Sequence, residues 1–211
     1  MKNHRLNIIG AGGHAKMALD IAILAGFRDL SIYDDSVDTF NFYQDIAIKS
    51  NIDSFIENCA PNTPVFIGIG DNIIRGKLYK KLKEKSCLFP VLKHPSAIIN
   101  EHANIDEGTV IMPNASINLN VEIGKCGIIN TNSIVDHDSS IGDFVHLSPG
   151  VNIAGTVSIE EYAWIGIGAT VINNVNIGKH SIIGAGSVVT SNIKDGITVV
   201  GVPAREVTKD A

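Results

Sequence analysis

The sequence predicts a small α/β domain with a parallel sheet, followed by an all-β parallel helix built from hexapeptide repeats. Two observations predict this fold class. Strands alternate with helices in the first 95 residues, and beyond them an aliphatic residue recurs at every sixth position. His94 and Pro95 lie where the pattern changes. We therefore predict two domains, residues 1–95 and residues 96–211.

The first domain is predicted from alternating apolar strand runs and helical patterns. In order, its elements are a strand at 6–9, a helix containing Met17, Ile21, Leu24 and Ala25 and ended by Gly26, a strand at 30–33, a strand at 65–69, a helix at about 72–85 and a strand near 88–92. The first three strands each end in glycine or polar residues. Ligands of open α/β sheets bind at such carboxyl ends.

The second domain shows a period of six that starts at Ile99. Sixteen consecutive hexads, from Ile99 to Val189, carry an aliphatic residue at the first position. The fifth position is small or β-branched, and the second is often Gly, Asn or Asp. Three hexads close one coil of 18 residues, with coils about 4.8 Å apart. We expect the aliphatic residues to fill the interior and the second position to supply left-handed turn backbone.

A glycine-rich loop follows the first strand. Gly10, Gly12 and Ala15 match a dinucleotide-binding pattern, and Asp34 follows at a suitable distance. A nicotinamide site is disfavoured because the sheet is short and the β-helix offers no partner for hydride transfer. A tight turn without a ligand is the simpler alternative. We favour a mononucleotide or nucleotide-sugar site, at which the candidate contacts are Gly12, Gly13, His14, Asp34, Asp35 and Gly70.

His137 is the candidate catalytic residue of the repeat domain, because it lies between Asp136 and Asp138. A carboxylate that accepts from one imidazole nitrogen raises the basicity of the other. The period of 18 places Gly155 above His137, so we expect a gap beside the ring for a thioester. The Gly155 N–H is a candidate oxyanion donor. The alternative is a surface histidine among turn acids.

The other histidines carry weaker signals. His102 and His180 fall at the fourth hexad position and are expected to be exposed turn residues, and His94 marks the boundary. His146 stacks between Ile128 and Trp164, where a packed surface residue and a cofactor contact are both open. We expect no metal, since His137, His146 and His180 do not share a stacking column.

The composition indicates which classes of binding partner and which cell compartment to expect. The formal charge of −5 disfavours nucleic acid, which requires clustered Lys and Arg. The three cysteines are far apart and lack a CxxC motif, as is typical of reduced thiols in a cytoplasmic protein. No signal peptide or run of about 20 apolar residues is found, so we expect no membrane segment.

The whole chain resembles the hexapeptide-repeat sugar acetyltransferases of bacterial glycan synthesis. These include the UDP-4-amino-sugar N-acetyltransferases of the bacillosamine pathway, the perosamine N-acetyltransferases and the sialic acid O-acetyltransferases. The resemblance rests on the segments 10–14, 33–35, 69–72, 135–138, 144–146 and 200–204. It implies a left-handed β-helix, acetyl-CoA as co-substrate and a homotrimer with acetyl-CoA between neighbouring prisms.

The resemblance also implies residue roles. His137 takes the position of the general base and Asp138 that of its supporting acid, where the bacillosamine enzymes have Glu; Asp136 competes for this role. Acetyl-CoA contacts fall on His146, Gly155, Ile167 and Ala185, the last replacing a glycine of the family. Sugar-nucleotide contacts fall on the six residues of the first domain named above, with Gly12 in place of a serine.

The expected activity is direct acetyl transfer from acetyl-CoA to the amine of a nucleotide-linked amino sugar. No cysteine has a catalytic setting, which disfavours an acyl-enzyme. O-acetylation of a sugar hydroxyl uses the same base and stays open, and a non-enzymatic scaffold is the third alternative. The sequence leaves open the sugar, its nucleotide, the acetylated position and the glycan pathway that receives the product.

Overall fold

The computed structural model describes residues 5–36 and 46–207. They form two compact units that divide between Leu92 and Lys93.

The first unit is an α/β layer structure with a four-stranded parallel sheet of order β3-β2-β1-β4. Its elements are β1 (Arg5–Ile9), α1 (Gly13–Leu24), β2 (Asp29–Tyr33), β3 (Ile48–Ser50), α2 (Ile52–Asn58), β4 (Val65–Ile67) and α3 (Asn72–Glu84). Most side chains of β1, β2 and β4 are buried and apolar, with Asn7 and Ser31 as the buried polar exceptions, so these strands form the main part of the core of this unit.

Glycines set the approach of α1 to the sheet. Gly10, at the end of β1, has φ +103°, and a Cβ there would lie 2.8 Å from Ile69 Cγ1. A Cβ on Gly68 would lie 2.9 Å from the Cα of Ala15, so helix and strand touch through small residues. The loop thus turns sharply and presents the amino end of α1 beside the strand ends.

The prediction of a fourth strand near residues 88–92 is wrong. The structure has β3 at the sheet edge instead, and Leu88 forms only an isolated bridge with Pro64. β3 and α2 were missed because β3 has three residues, includes Lys49 and Ser50, and lacks an apolar run. Two predicted apolar positions of α1, Met17 and Leu24, are also exposed, at 38% and 50%.

The second unit is a left-handed parallel β-helix, and the predicted period of six is confirmed. Its repeat strands each have two residues: β6 (Ile98–Ile99), β7 (Asn104–Ile105), β8 (Val110–Ile111), β9 (Ser116–Ile117), β10 (Glu122–Ile123), β11 (Ile128–Ile129), β12 (Ile134–Val135), β13 (Ser140–Ile141), β14 (His146–Leu147), β15 (Asn152–Ile153), β16 (Ser158–Ile159), β17 (Trp164–Ile165), β18 (Thr170–Val171), β19 (Asn176–Ile177), β20 (Ile182–Ile183) and β21 (Val188–Val189).

These strands stack into three sheets that form the sides of the prism. One face is β6-β9-β12-β15-β18-β21, and the second is β7-β10-β13-β16-β19. The third contains β8-β11-β14-β17-β20, flanked by β5 (Leu92–Lys93) at one end and by β22 (Thr198–Val200) and β23 (Arg205–Glu206) at the other. β23 pairs antiparallel with β22, which ends the repeat pattern.

The core of this unit consists of the first and fifth hexad positions. Strand partners lie 18 residues apart, as in the pairs Val135–Ile153 and Ile153–Val171. These three side chains are at most 1% exposed. Each aliphatic side chain therefore packs on its copies in the coils above and below, which is why the sequence keeps the first position apolar.

The turn chemistry differs from the prediction. Left-handed backbone occurs at the fourth hexad position rather than the second, for example at Asn120, Asp138 and Gly168. Glycine at the second position has another cause: a Cβ on Gly142 would lie 2.7 Å from the backbone nitrogen of Glu161 in the next coil. Close backbone approach, and not dihedral freedom, selects glycine there.

Across the described ranges, no helix has the length and apolar character needed to cross a membrane.

Candidate active site

His137 lies at the corner of the prism between β12 and β13. The two strands hold Val135 and Ile141 inside the core, and the intervening turn carries Asp136, His137 and Asp138 to the surface. Asp138 adopts φ 56°, a left-handed conformation that Asp and Asn tolerate better than most residues. This conformation directs the Asp138 carboxylate back toward the preceding side chain.

The two aspartates have different partners. Asp138 Oδ2 lies 2.8 Å from His137 Nδ1, whereas Asp136 Oδ1 accepts the backbone N–H of His137 at 2.8 Å. Asp138 is thus the residue bonded to the imidazole, and Asp136 holds the main chain beneath it. With a proton on Nδ1 directed to Asp138, the Nε2 lone pair is available as a base.

Two asparagines one coil below were missed by the sequence analysis. Asn120 Nδ2 donates to Asp138 Oδ1 at 3.0 Å, and Asn118 Nδ2 donates to Asp136 Oδ1 at 2.8 Å. Each asparagine precedes its aspartate by 18 residues, so the stacking period alone could have identified both. Asn120 satisfies one carboxylate oxygen and leaves the other for the imidazole.

The charges of this cluster favour an ionised acid and a basic imidazole. The hydrogen bond to Asp138, followed by the negative charge of Asp136, raises the pKa of His137. The hydrogen bond from Asn120, followed by that from His137, lowers the pKa of Asp138. The Asp136 pKa is lowered chiefly by Asn118. Both carboxylates are therefore anionic at neutral pH.

Gly155 lies above His137, but the expected empty gap is wrong. A Cβ on Gly155 would fall 2.6 Å from His137 Nε2 and 2.7 Å from Cε1, so the imidazole itself fills the space. Glycine is needed here to admit the ring. Within residues 5–36 and 46–207 the Gly155 N–H has no hydrogen-bond partner, because Ala154 offers no side-chain acceptor of the kind that Asp136 provides to His137.

His146 lies on the third face of the prism, between Ile128 and Trp164 as the stacking period predicts. Its ring stacks on that of Trp164, with centroids 6.4 Å apart, and its Nε2 lies 3.3 Å from Asn130 Nδ2. Trp164 is 47% exposed and donates to Ser148 Oγ. The arrangement leaves an aromatic surface accessible on this face.

Ile167 and Ala185 share the corner between the third and first faces. They lie 18 residues apart, and the N–H of Gly186 donates to the carbonyl of Ile167. Ile167 is 62% exposed. Ile167 follows Gly166, and Ala185 follows Gly184. Because these glycines occupy the second hexad position, no side chain there covers the backbone N–H groups of Ile167 and Ala185.

The remaining candidate residues lie in the first unit. Gly12 is the N-cap of α1 and makes no side-chain cap, and a Cβ on Gly12 or Gly13 would meet no atom within 4 Å. His14 lies in the first turn, with its ring centroid 6.3 Å from that of Phe66. The amino end of a 12-residue helix thus presents open backbone, the arrangement that favours phosphate.

Asp34, Asp35 and Gly70 support loops of this region. Asp34 Oδ2 accepts a hydrogen bond from the N–H of Ala11 at 2.7 Å, and Oδ1 accepts one from the N–H of Ser36. Partial burial raises the pKa of Asp34, but these hydrogen bonds outweigh burial, so the pKa lies below its usual value. Asp35 accepts the N–H of Ile52 at the start of α2. The Gly70 carbonyl accepts from Arg75, a side chain 1% exposed.

A cavity of about 700 Å³ lies elsewhere, on the second face of the prism. Its lining includes Glu122, Asp143, Glu160 and Glu161 but not His137. An acidic lining repels the phosphates of CoA and of nucleotides. The hydrogen-bonded cluster at His137 therefore indicates the chemistry better than this cavity does.

A β-helix of hexapeptide repeats that carries a histidine–carboxylate pair, together with an α/β unit, defines the hexapeptide-repeat acyltransferase class. Residues 5–82 match the PglD N-terminal domain family, and residues 156–191 match the bacterial transferase hexapeptide family of six repeats.

Similar solved structures indicate which family within this class the chain resembles. A mutant of perosamine N-acetyltransferase from Caulobacter crescentus, in complex with CoA and GDP-perosamine, is 32% identical with a TM-score of 0.90, covering 97% of each chain. The acetyltransferase domain of PglB from Neisseria gonorrhoeae FA1090, in complex with acetyl coenzyme A, is 31% identical with a TM-score of 0.91, covering 97% of this chain and 100% of that one. The chain belongs to this family of β-helical sugar N-acetyltransferases.

A curated relative is similar over part of its length. The UDP-N-acetylbacillosamine N-acetyltransferase of Bacillus subtilis (strain 168) is 38% identical over 114 residues, which are 53% of this chain and 52% of that protein. The match thus spans about half the length of this relative.

Proposed function

We propose that the protein transfers an acetyl group from acetyl-CoA to the amine of a nucleotide-linked 4-amino-4,6-dideoxy sugar, with His137 as general base. The observation that carries the proposal is the 2.8 Å contact between His137 Nδ1 and Asp138, which leaves Nε2 as the basic nitrogen. The names of the relatives support the reaction class, since they are N-acetyltransferases of bacillosamine and perosamine.

The proposed transfer is direct. The amine attacks the thioester carbonyl while Nε2 of His137 removes a proton from the nitrogen. The carbonyl oxygen becomes an oxyanion, for which the Gly155 N–H is the proposed donor. The C–S bond then breaks, the amide forms, and the thiolate of CoA leaves and takes up a proton. Asp138 stabilises the imidazolium that forms in between.

The proposed acetyl-CoA site comprises His146, Gly155, Ile167 and Ala185. The stacked rings of His146 and Trp164 give an apolar surface, and the backbone N–H groups of Ile167 and Ala185 are not covered by a side chain at the preceding position. Relatives were solved with CoA or acetyl coenzyme A bound. We further propose a homotrimer, in which neighbouring prisms share this co-substrate.

The proposed nucleotide-sugar site comprises Gly12, Gly13, His14, Asp34, Asp35 and Gly70. Support comes from the open amino end of α1, where backbone N–H groups and the helix dipole favour a diphosphate. The short sheet has four strands, too few for the two halves of a dinucleotide fold. We expect a cytoplasmic enzyme whose product enters bacterial glycan synthesis.

The test is a thiol-release assay with acetyl-CoA and a panel of UDP-, GDP- and dTDP-linked amino sugars. His137→Ala should lose at least about two orders of magnitude of turnover. His102→Ala is the matched control, because His102 is an exposed turn histidine with only a 3.8 Å contact to Glu101. Turnover of His137→Ala near that of wild type would refute the assignment.

The same assay separates the two acyl acceptors. His137 can deprotonate a hydroxyl as well as an amine, so acceptors that differ only in this group must be compared. Preference for the hydroxyl sugar would replace N-acetylation by O-acetylation at the same site. Absence of acetyl-CoA binding by calorimetry would point to a scaffold instead.

A further inference from the structure

Two cysteines that are distant in sequence meet in the first unit. Cys59 is the C-cap of α2, and Cys87 follows α3. Their Sγ atoms are 2.8 Å apart. This pair is not predictable from the sequence, since 28 positions separate the two residues and no motif connects them.

The backbone fixes this contact. The loop after Cys59 and the segment around Cys87 are joined by hydrogen bonds from Asn62 N–H to the Ser86 carbonyl at 2.8 Å and from Leu88 N–H to the Thr63 carbonyl at 2.9 Å. The approach of the sulfurs therefore follows from main-chain pairing on both sides of Cys87, not from one choice of side-chain rotamer.

The two thiols differ in accessibility. Cys87 is 2% exposed, and burial, followed by the hydrogen bond with Cys59, raises its pKa to about 12. Cys59 is only half-buried and lines a cavity of about 310 Å³ together with Asn58 and Thr63. A small reagent therefore reaches Cys59 first, and Cys87 waits behind it as the resolving thiol.

We propose that Cys59 and Cys87 form a reversible disulfide, with Cys59 as the thiol that first attacks a low-molecular-weight disulfide entering the cavity. Cys59 displaces one thiolate from the small disulfide and forms a mixed disulfide. Cys87 then loses its proton, attacks Cys59 Sγ and displaces the second thiolate. Two protein thiols and one small disulfide become one protein disulfide and two small thiols.

The geometry requires little rearrangement. Closing a disulfide needs the sulfurs to approach from 2.8 Å to about 2.05 Å, a movement of under about 1 Å that side-chain rotation can supply. The bond would tie the end of α2 to the segment that follows α3. Because that segment already pairs with the loop before β4, the link restrains the unfolded chain more than it alters the folded one.

The third cysteine provides an internal standard. Cys126 is 1% exposed in the β-helix and lies in the other compact unit. Oxidation at the proposed site therefore lowers the number of reduced thiols per chain from three to one.

The test uses the full-length protein in glutathione buffers of increasing oxidised fraction, quenched with acid and alkylated in denaturant. Mass spectrometry should show alkylated cysteines falling from three to one, a Cys59–Cys87 peptide, and full reversal by dithiothreitol. Cys126→Ser should still form the link, whereas Cys59→Ser should not. Peptide mapping of the wild type needs no variant, so a folding defect in Cys87→Ser does not affect it.

Three outcomes would overturn the proposal. They are persistence of three reduced thiols in oxidised buffer, a stable glutathione adduct on Cys59 with no internal link, and a linked peptide that contains Cys126. None of these results depends on acetyl transfer.

Discussion

Replacing Gly155 with alanine tests the placement of His137 without removing any catalytic atom. The added Cβ would lie 2.6 Å from Nε2, whereas carbon atoms pack at about 3.5 Å. The imidazole must therefore withdraw by about 0.9 Å. Since its Nδ1 bond to Asp138 is 2.8 Å long, this displacement breaks or strains the bond.

The magnitude follows from this displacement. A misplacement of about 1 Å at a reacting group can cost about 100-fold in rate, or about 2.7 kcal/mol in activation free energy. Gly155 has no left-handed φ, so alanine adds no backbone strain, and it keeps the N–H of residue 155. We expect turnover to fall by about two orders of magnitude in the thiol-release assay while the thermal transition stays near that of wild type.

Gly196→Ala is the matched control. Gly196 has φ +67°, and a Cβ there meets no atom within 4 Å, so alanine strains the backbone without a steric clash. It should cost about 1 kcal/mol of stability and leave turnover unchanged. Wild-type turnover in Gly155→Ala, or an equal loss in both variants, would refute the inference that ring position limits the rate.

Two further changes test the charge network and the first unit. Asp138→Asn removes the largest cause of the raised His137 pKa. His137 must be neutral to act as a base, so activity is lost as the pH falls through its pKa. A lower pKa should therefore move the acid limb of kcat/KM to lower pH, while the plateau falls about 100-fold. An unmoved limb in the pH profile would contradict the assignment of this limb to His137. Arg75 is 1% exposed and donates hydrogen bonds to the carbonyls of Ile69 and Gly70. Arg75→Met removes these bonds, so the free energy of unfolding of the first unit in urea should fall by about 3 kcal/mol. Arg205→Met, which changes an exposed side chain, should stay within about 0.5 kcal/mol of wild type.

The β-helix could be predicted almost entirely, because its repeat strands pair at a fixed spacing of 18 residues. A residue such as Ile153 meets Val135 and Val171 by period alone. The turn positions were assigned wrongly because glycine, asparagine and aspartate occur at two of them for different reasons. Close approach selects Gly142, whereas a left-handed φ selects Asn120.

The α/β unit was less predictable, because its contacts follow no period. The edge strand β3 has no apolar run, and the Cys59–Cys87 contact depends on how two separate loops pair. At the site, the adjacency of His137 and Asp138 was visible in the sequence. The position of the His137 ring over Gly155 could not be predicted, because the period of 18 shows which residues stack but not where their side chains point.

The corner of the prism explains why neighbouring residues can act as a pair. In an extended strand, His137 and Asp138 would point to opposite sides. The left-handed backbone at Asp138 instead brings the carboxylate to the imidazole, and Asn120 holds its second oxygen from the coil below.

The order of the two residues also matters. Glu101 and His102 occupy equivalent corner positions with acid and imidazole exchanged, and Glu101 Oε1 lies 3.8 Å from His102 Nε2, too far for a hydrogen bond. The residue above that corner position is Leu119, whereas the residue above His137 is Gly155. The His137 corner thus differs from the Glu101 corner in having a histidine at the third hexad position, an acid at the fourth and a glycine one coil above.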